Sequence, residues 1–574
     1  MKIKMIKIAV ILTAITLVFS VCNNPAQSGN GNRPEPEMLY FYPAEVVLTG
    51  NVLAVDVEIR GTARGGFQIV GGEEELPPEV NISIDQNNAV IRFWVDCPEL
   101  TGNEIFTEYP VEIKIWRQGI IKTFPVSVNV RPMRLHIMDF FLERLSNLAK
   151  FSDEMPAFII DTPTSFNIED LETYRALVWN AWREANSEFT EERLIPLIPL
   201  NTNPAPQGQW TIPPVFTGPQ YPSPHFDVVH YHWGSKGTRP ASGFPMFIYL
   251  HGSGPQATEW AAGLTLSRQF QDAPSVYFIP RSFNPAEQRW HWQPNQFVWE
   301  KLLRQVLLGD IVDPNKIFFT GISEGGYGSQ RLGAFYADYL AGAGPMAGGE
   351  PLINAPVENF RNTAFTLRTG ANDTGFGRNQ LTGIAADAFG ALEAKYPGDF
   401  IHWIHLIPGA GHGIDYNPTT PWLRGHTRNP HPRRVSWENF EMDNRYRAGF
   451  HNIRVIERSN PNFSSRTHYE LVIDGNNITL DVSLVTYTET SRHPSGQPLT
   501  FDRSYTPATT GIVKIYLSPD LVNLEEPISV TVNGVRTFED YVTLDIRHLV
   551  ESCALFFDPF RLFPAAVVID LEDL

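Results

Sequence analysis

Hydrophobic and polar positions follow different periods in different stretches of the chain. Between residues 38 and 132, apolar and polar residues alternate with a period of two, and Gly, Asn and Asp separate the short runs. This pattern predicts a β-sandwich. Its predicted strands are Val46–Leu48, Leu53–Ile59, Val80–Ile84, Ala89–Val95, Val111–Trp116 and Thr123–Val130.

The next segment, residues 133–224, changes character twice. Apolar residues recur with helical periodicity from Leu135 to Leu148 and from Ile168 to Trp182, which predicts two amphipathic helices. Residues 195–224 then contain nine prolines. Because proline disfavours helices and central strands, we expect an extended connector here.

From residue 225 to 432, short apolar strands alternate with amphipathic helical stretches. Strands that are buried on both faces and separated by helices are typical of a doubly wound, mostly parallel sheet. The predicted strands are Phe244–Leu250, Val276–Ile279, Ile317–Thr320, Phe365–Thr369 and Ile401–Ile407, with helices at Phe297–Leu308 and Leu381–Tyr396.

Residues 433–574 return to strand patterns and predict a second β domain. Its predicted strands are Ile453–Glu457, Tyr469–Ile473, Ile478–Val485, Ile512–Leu517 and Ile528–Val532. The predicted fold is therefore multidomain, with an α/β core between an N-terminal, immunoglobulin-like β-sandwich and a C-terminal β-sandwich-like domain.

The first 22 residues have the pattern of an export signal. Lys2, Lys4 and Lys7 precede an apolar stretch from Ile8 to Val21, whose 14 residues are too few to span a bilayer. Cys22 follows directly, in a context that resembles a bacterial lipoprotein signal. We therefore expect a lipidated Cys22 that attaches the chain to a membrane surface, with residues 23–37 as a flexible linker.

Two other outcomes stay open for this segment. Val21 stands where Gly or Ala is usual before the lipidated cysteine. Secretion as a soluble protein and retention by an uncleaved anchor are the alternatives. The other two cysteines, Cys97 and Cys553, are expected to be buried free thiols.

Charge excludes one class of partner. The chain has 45 basic and 63 acidic residues and a formal net charge of -18, whereas nucleic-acid binding depends on Lys and Arg at phosphates. The sequence also contains neither a phosphate-binding loop nor a dinucleotide fingerprint, so we expect no cofactor.

The strongest chemical signal is Gly321-Ile322-Ser323-Glu324-Gly325. It follows an apolar strand and precedes an amphipathic helix, which is the context that a G-x-S-x-G nucleophile elbow requires. Such a turn lifts the serine hydroxyl to the N-terminus of a helix, where partial positive charge favours a developing anion. Ser323 is therefore the predicted nucleophile.

An oxyanion hole is expected from the end of an earlier strand. His251-Gly252-Ser253-Gly254 directly follows Phe244–Leu250. The predicted donors are the backbone N–H of Ser253 or Gly252 and that of Glu324.

The general base and the orienting acid follow in the chain order Ser…Asp…His. His412 lies between glycines in a loop after the last sheet strand, whereas His402 and His405 lie within that strand. Asp373 follows the strand Phe365–Thr369 in a Gly-rich loop and is the predicted acid. Asp387, Asp399 and Asp415 are less favoured, because the first two occupy a helix and a turn and the third is too close to the histidine in sequence.

These four motifs together resemble bacterial secreted α/β-hydrolases of the esterase and prolyl-oligopeptidase-like type, including relatives of feruloyl esterases and polyhydroxybutyrate depolymerases. The resemblance covers residues 225–432, and Pro527–Gly534 looks like a β module appended to some secreted members. It implies an α/β-hydrolase fold and a serine hydrolase mechanism, but no particular substrate.

Two weaker patterns concern the pocket and a metal. Trp290-His291-Trp292 follows a sheet strand, where its rings could line a substrate pocket, although aromatic packing beneath a loop is the favoured explanation. His230 and His232 share one strand face, but no third ligand lies nearby in sequence, so we expect no metal site.

The motifs favour a carboxylic ester hydrolase that acts outside the cytoplasm on small-molecule or polysaccharide-linked esters, such as acylated or feruloylated polysaccharide. A serine peptidase of the prolyl-oligopeptidase-like type is the first alternative. A surface binding or adhesion protein with an inactive hydrolase domain is the second.

Overall fold

A computed structural model describes residues 38–49, 54–62, 65–76, 80–95, 111–129, 133–158, 164–216, 221, 226–283, 289–460 and 465–574. The predicted signal, the linker, Cys22 and Cys97 lie outside these residues. The chain divides into two compact units, one within residues 38–128 and the other containing Asn129–Leu574.

The described residues of the N-terminal unit form two four-stranded sheets. One has the strand order β1-β3-β6-β5 with antiparallel pairing, and the other has the order β2-β8-β7-β4. The rings of Phe93 and Phe124, one from each sheet, meet at 5.6 Å. The strands are β1 Leu39–Tyr42, β2 Val46–Thr49, β3 Ala54–Gly61, β4 Phe67–Gly71, β5 Val80–Asp85, β6 Val90–Val95, β7 Val111–Arg117 and β8 Ile120–Asn129.

A mostly parallel sheet forms the centre of the second unit. Its order is β10-β11-β13-β12-β14-β15-β16-β17, with β12 to β17 parallel, β10 and β11 antiparallel at one edge, and β9 beside β11. The strands are β9 Ile198–Pro199, β10 Gln207–Thr211, β11 Val228–Lys236, β12 Phe244–Leu250, β13 Ser275–Pro280, β14 Val312–Ile322, β15 Gly342–Met346, β16 Ala364–Gly370 and β17 His402–Ile407.

Eight helices are present in the described chain, and five of them connect or follow these strands. They are α1 Met133–Ala149, α2 Leu171–Glu188, α3 Gln256–Gln269, α4 Gln293–Leu308, α5 Glu324–Phe335, α6 Arg378–Lys395, α7 Thr419–Arg424 and α8 Ile546–Phe556.

Both faces of the central sheet are buried by helices. Along β12, Met246 and Ile248 join a core with α4, α5 and α6, whereas Phe247 and Tyr249 join a second core with α3 and α7. Successive side chains of a strand point to opposite faces, so a strand between two helical layers is apolar throughout. The apolar run in the sequence therefore begins and ends at the same residues as β12.

Three strands of the sheet, β9, β10 and β15, differ from the sequence-based expectation. The Pro-rich stretch 195–224 is not only a connector, because β9 and β10 within it pair with β11. We did not predict β15, whose sequence GAGPM lacks the β-branched residues that mark strands. Small residues are required there, since a β-carbon at Gly344 would lie 2.6 Å from Leu423 of α7.

The C-terminal region consists of two further sheets. One has the order β18-β21-β22-β25-β26 with β23 beside β22, and the other has the order β19-β20-β24-β27. The strands are β18 Arg434–Asn439, β19 Gly449–Phe450, β20 Ile453–Glu457, β21 Arg466–Asp474, β22 Asn477–Arg492, β23 Pro498–Pro507, β24 Ile512–Leu517, β25 Ile528–Val532, β26 Val535–Asp540 and β27 Ala565–Asp570.

Helices link the C-terminal region to the segment that precedes the central sheet. The predicted helices α1 and α2 pack against α8, which strand patterning did not anticipate, and Phe141 and Trp182 meet at 5.0 Å in this cluster. Cys553 of α8 is buried there as a free thiol. Among the described residues, none of the helices has the length and apolarity needed to cross a membrane.

Buried ion pairs connect the C-terminal region to the segment that follows α5. Asp338, which follows α5, accepts from Arg447 at 2.8 Å and from Arg561 at 2.6 Å, and its pKa is lowered by these two guanidinium groups against the opposing effect of burial. Breaking such a buried pair leaves an uncompensated charge, so these contacts resist separation of the two regions.

Candidate active site

Ser323 lies in a sharp turn between β14 and α5. Its backbone has φ 57° and ψ -114°, a conformation that is costly for a residue with a side chain. Glycine is required on both sides of it, because a β-carbon at Gly321 would collide with the carbonyl of Gly325, and one at Gly325 would collide with the carbonyl of Leu250. The turn therefore holds the serine at the carboxyl end of the sheet by close packing.

The structure brings Ser323, His412 and Asp373 together in one line of hydrogen bonds. The His412 Nε2 lies 3.0 Å from the Ser323 Oγ, and the His412 Nδ1 lies 2.7 Å from the Asp373 Oδ2. Because an ionised carboxylate only accepts, Nδ1 carries the proton and Nε2 is free to accept from the hydroxyl. The Asp373 side chain is 3% exposed and that of His412 is 47% exposed.

The loops that carry the acid and the histidine touch each other. Gly370 ends β16, and a β-carbon there would collide with the carbonyls of Ala410 and Gly411 in the histidine loop. The Asn372 N–H donates to the Ala410 carbonyl at 2.9 Å. Two strand ends that are adjacent in the sheet thus place residues 39 positions apart within hydrogen-bond reach.

The other candidate carboxylates and histidines do not join this group. Asp387 is exposed on α6, and Asp399 pairs with Arg361 at 3.3 Å. Asp415 accepts from its neighbour Asn417 at 3.1 Å. His402 bonds to the Phe400 carbonyl at 2.9 Å.

The predicted oxyanion donors lie around the serine. A β-carbon at Gly252 would lie 3.5 Å from the Ser323 Cβ, so this glycine lies directly beside the turn that carries Ser323. Ser253 lines the cavity that contains the serine hydroxyl. Glu324 begins α5, and the first N–H groups of a helix have no partner within the helix.

His251 supports this strand end in its neutral form. Its Nε2 accepts from the Ser282 N–H at 3.1 Å, and its Nδ1 bonds to the Gly252 carbonyl at 2.8 Å. Burial lowers the pKa of His251 to about 4. The histidine of the His-Gly element therefore holds the backbone in place and is not a proton carrier.

Ser323 opens into a cavity of about 710 Å³ with polar walls. Three ion pairs lie along it: Arg289 with Glu324 at 3.0 Å, Arg331 with Glu350 at 3.1 Å, and Arg378 with Asp373 at 3.0 Å. Burial raises the pKa of Glu324, an effect that Arg289 opposes. The lining residues are Ser253, Gly254, Arg289, His291, Ser323, Glu324, Tyr327, Arg331, Glu350, Asn354, Phe376, Arg378 and Gln497.

A hairpin of the C-terminal region supplies one of these residues. Gln497 lies between β22 and β23, and a β-carbon at Gly377 would lie 3.2 Å from both His493 and Leu499 of the same hairpin. The hairpin tip thus packs on the turn before α6. Nothing in the sequence around Gln497 marks it as part of a site, whereas the position of Arg378 five residues after Asp373 is a signal that sequence reasoning missed.

The three aromatic residues Trp290, His291 and Trp292 have different surroundings in the structure. His291 lines the cavity, and burial together with Arg331 and Arg289 lowers its pKa well below the usual value. Trp290 is instead buried against Gly328 of α5 and donates to the His251 carbonyl at 3.1 Å. Trp292 packs against Tyr221 and Phe226. Neither indole is among the residues that line the cavity, because Trp290 packs under α5 and Trp292 packs against Tyr221 and Phe226.

His230 and His232 lie on β11, away from these residues. His232 bonds to the Pro206 carbonyl at 2.9 Å and stacks on Trp260 at 4.2 Å. Within the described ranges, no group of three or more His, Cys, Asp or Glu residues is arranged to hold a metal ion.

The sheet and the site together fit the α/β-hydrolase fold. Its six parallel strands lie between two helical layers, the serine follows β14 in an elbow, and the acid and histidine follow β16 and β17 in the order that this fold uses.

Comparisons with known proteins give partial or low-scoring matches to esterases. No family model matches the chain. An alignment over 155 positions matches feruloyl esterase B from Piromyces equi at 28% identity, and it covers 24% of this chain and 28% of that protein's length.

Solved esterase structures resemble parts of the chain at low identity. A ferulic acid esterase is 14% identical, with 38% of this chain and 96% of that one covered and a TM-score of 0.27. An acetyl xylan esterase from Aspergillus awamori is 13% identical, with 34% and 93% covered and a TM-score of 0.27. These scores are low, so the fold assignment depends on the strand order and the elbow themselves.

Proposed function

We propose that this protein is a serine hydrolase that cleaves carboxylic esters, with Ser323 as nucleophile, His412 as general base and Asp373 as orienting acid. The observation that carries the proposal is the pair of hydrogen bonds from Ser323 to His412 and from His412 to Asp373 at the edge of a polar cavity. A serine that is held by a tight elbow beside a base with an oriented ring meets the geometric requirements of an activated nucleophile.

Acylation follows from this arrangement. His412 Nε2 takes the proton as the Ser323 Oγ attacks the ester carbonyl, and the resulting oxyanion accepts from the N–H of Ser253 or Gly252 and from that of Glu324. When the tetrahedral intermediate collapses, the C–O bond to the alcohol breaks and His412 gives its proton to the departing oxygen. Asp373 fixes the tautomer and stabilises the imidazolium throughout.

Deacylation repeats the same steps with water. His412 removes a proton from a water molecule, which attacks the acyl-enzyme, and the Ser323 oxygen leaves with the proton that the histidine returns. The products are the free acid and a restored serine. No metal or cofactor enters the sequence of steps that we propose.

We propose acylated or feruloylated polysaccharide as the substrate class. Two observations support it: a segment of the chain is similar to a protein named feruloyl esterase, and the cavity beside Ser323 is lined by guanidinium, carboxylate and amide groups that suit hydroxyl-rich ligands. A site with mainly polar walls gains little from a long alkyl chain.

A substrate panel tests this function. Acetyl and butyryl p-nitrophenyl esters, methyl ferulate and a feruloylated oligosaccharide are compared with a long-chain p-nitrophenyl ester and with dipeptidyl amides. We expect turnover of the short and sugar-linked esters, and Ser323→Ala with an unchanged melting temperature should lose it by about 10⁴-fold or more. Amide cleavage that is faster than ester cleavage would instead support a peptidase.

We also propose that the chain is exported and held at a membrane surface by lipidation of Cys22. The support is the apolar stretch Ile8–Val21, which is too short to span a bilayer and ends at the cysteine. Palmitate should label the wild type but not Cys22→Ala. A soluble mature protein that starts at another residue would contradict the anchor and leave the catalytic proposal unchanged.

A further inference from the structure

We infer that Arg378 is a positioning residue, which clamps the Asp373 carboxylate in the orientation that His412 requires and adjusts the proton affinity of that histidine. The inference rests on the proposed function of the same three residues. It concerns a side chain that follows the acid by five positions and that the sequence motifs do not mark.

The two oxygens of Asp373 have different partners. Oδ1 accepts from the Arg378 Nη1 at 3.0 Å, and Oδ2 accepts from the His412 Nδ1 at 2.7 Å. A carboxylate that is bonded at both oxygens cannot rotate about its terminal bond without losing one bond. The side chains of Asp373 and Arg378 are 3% and 11% exposed, so water competes little for either bond.

Arg378 is itself held from several directions. Its guanidinium lies 5.7 Å from the ring centroid of Tyr327 and 5.3 Å from that of Phe376. A β-carbon at Gly375 would lie 2.7 Å from Nη1, so the turn before α6 packs directly on the guanidinium. Its backbone carbonyl accepts from the Thr382 hydroxyl at 2.8 Å within α6. The clamp is therefore built into the start of a helix.

The backbone of the acid loop leads into the same helix. The Asn379 N–H donates to the Asp373 carbonyl at 3.1 Å, and the Asn379 side-chain amide donates to the Ala371 carbonyl at 3.0 Å. The first residues of α6 thus fix both the main chain and the side chain of Asp373. A change at Arg378 would release only the side chain.

Arg378 is also the cation that faces the Asp373–His412 pair in the described structure. Two tyrosines lie nearby: the Tyr327 ring of α5 lies beside the Arg378 guanidinium, and the Tyr416 hydroxyl donates to the His412 carbonyl oxygen at 3.4 Å. Burial raises the pKa of Tyr327 to about 12 and raises that of Tyr416, so both are neutral near pH 7. A fixed positive charge on the far side of the carboxylate disfavours the imidazolium.

The test compares Arg378→Ala and Arg378→Lys with Arg331→Ala, a matched loss of a cavity arginine whose partner is Glu350. The readouts are kcat and KM on p-nitrophenyl acetate and the pH profile of kcat/KM. For Arg378→Ala we expect kcat to fall about 30-fold. The acid limb of the profile should also move up by roughly half a pH unit, because a cation near the histidine is removed.

Arg378→Lys should restore the acid limb but only part of kcat, since an ammonium keeps the charge without the planar fork. Arg331→Ala should leave the limb in place. If Arg378→Ala changes only KM, or moves neither kcat nor the limb, the inference is wrong. Should Arg378→Ala fail to fold, Arg378→Gln takes its place, because it retains a donor and most of the side-chain volume.

A readout that needs no turnover separates this inference from the proposed function. Diethyl pyrocarbonate modifies neutral histidines, and the exposed ring of His412 is accessible to it. The pH midpoint of modification at His412, followed by peptide mass spectrometry, should rise in Arg378→Ala and return in Arg378→Lys even if no ester is cleaved. An unchanged pH midpoint would overturn the inferred effect of the Arg378 charge. If the wild type instead shows no esterase activity but the midpoint moves as expected, only the proposed function is overturned.

Discussion

Two glycine-rich turns carry the serine and the histidine, and their surroundings hold them differently. In the serine turn, β-carbons at Gly321 and Gly325 would collide with backbone carbonyls. In the histidine loop, β-carbons at Gly411 and Gly413 would meet nothing within 4 Å. Both turns are rich in glycine, but the glycines of the serine turn are closely packed and those of the histidine loop are surrounded by open space.

This difference shows where the geometry of each side chain comes from. Ser323 is oriented by its backbone, which the neighbouring strand β12 and the helix α5 confine. The half-exposed ring of His412 lies in an open loop, so its orientation depends on the 2.7 Å hydrogen bond to Asp373. Changes at the acid should therefore affect the histidine, and changes at the glycines should affect the serine.

The largest effect is expected at the acid. Asp373→Asn keeps the shape of the side chain but favours the wrong histidine tautomer, so kcat should fall by about 10³- to 10⁴-fold near pH 7. Asp415→Asn and Asp387→Asn are the controls, and we expect both to remain within about threefold of wild type because neither carboxylate contacts His412. A larger loss in either control than in Asp373→Asn would contradict the comparison.

The two turns can be compared directly with matched alanine substitutions. In Gly325→Ala the new methyl group would overlap the Leu250 carbonyl, so we expect a loss of about 1–3 kcal/mol in the free energy of unfolding and about 100-fold in kcat. In Gly413→Ala the methyl group would enter open space, and kcat should stay within about threefold. Urea denaturation and ester kinetics measure both. Equal damage from the two changes would show that the turns are not held differently.

A smaller effect concerns the pH dependence of stability at the end of β12. Burial lowers the pKa of His251 to about 4, below its ordinary value of about 6.5. The unfolded chain therefore binds the proton first, and this contribution is complete above about pH 6.5 and is lost as the pH falls towards 4. The free energy of unfolding of His251→Gln should fall less steeply than that of wild type across this window. Parallel curves would contradict the neutral, buried histidine.

The sequence predicted most of the central sheet because its strands are apolar on both faces. Phe244–Leu250 has the same bounds in the sequence pattern and in the structure, and Ile317–Thr320 lies within β14. The strand β15 escaped prediction because the packing of α7 demands small residues there. The hydrophobic pattern of a short segment contains no information about the helix that will pack against it, so a strand whose residues are selected by that packing is not recognised.

The candidate site was predictable to the extent that its chemistry lies in short motifs. Ser323, Asp373 and His412 each follow a strand in a glycine-rich turn, and the structure brings all three together. The walls of the cavity were not predictable, because Arg289, Arg331 and Gln497 come from separate elements without a shared motif. Trp290 and Trp292 flank a lining residue, His291, in sequence, but they are not themselves among the lining residues, because each packs against other side chains.

The most direct test of the central claim is the site of covalent modification by a fluorophosphonate. The wild-type protein is treated with the probe, digested and mapped by mass spectrometry, while residual ester hydrolysis is measured on the same sample. We expect a single adduct on Ser323, loss of hydrolysis in proportion to labelling, and no labelling of Ser323→Ala. An adduct on another residue, or full ester hydrolysis after complete labelling of Ser323, would contradict the proposed nucleophile.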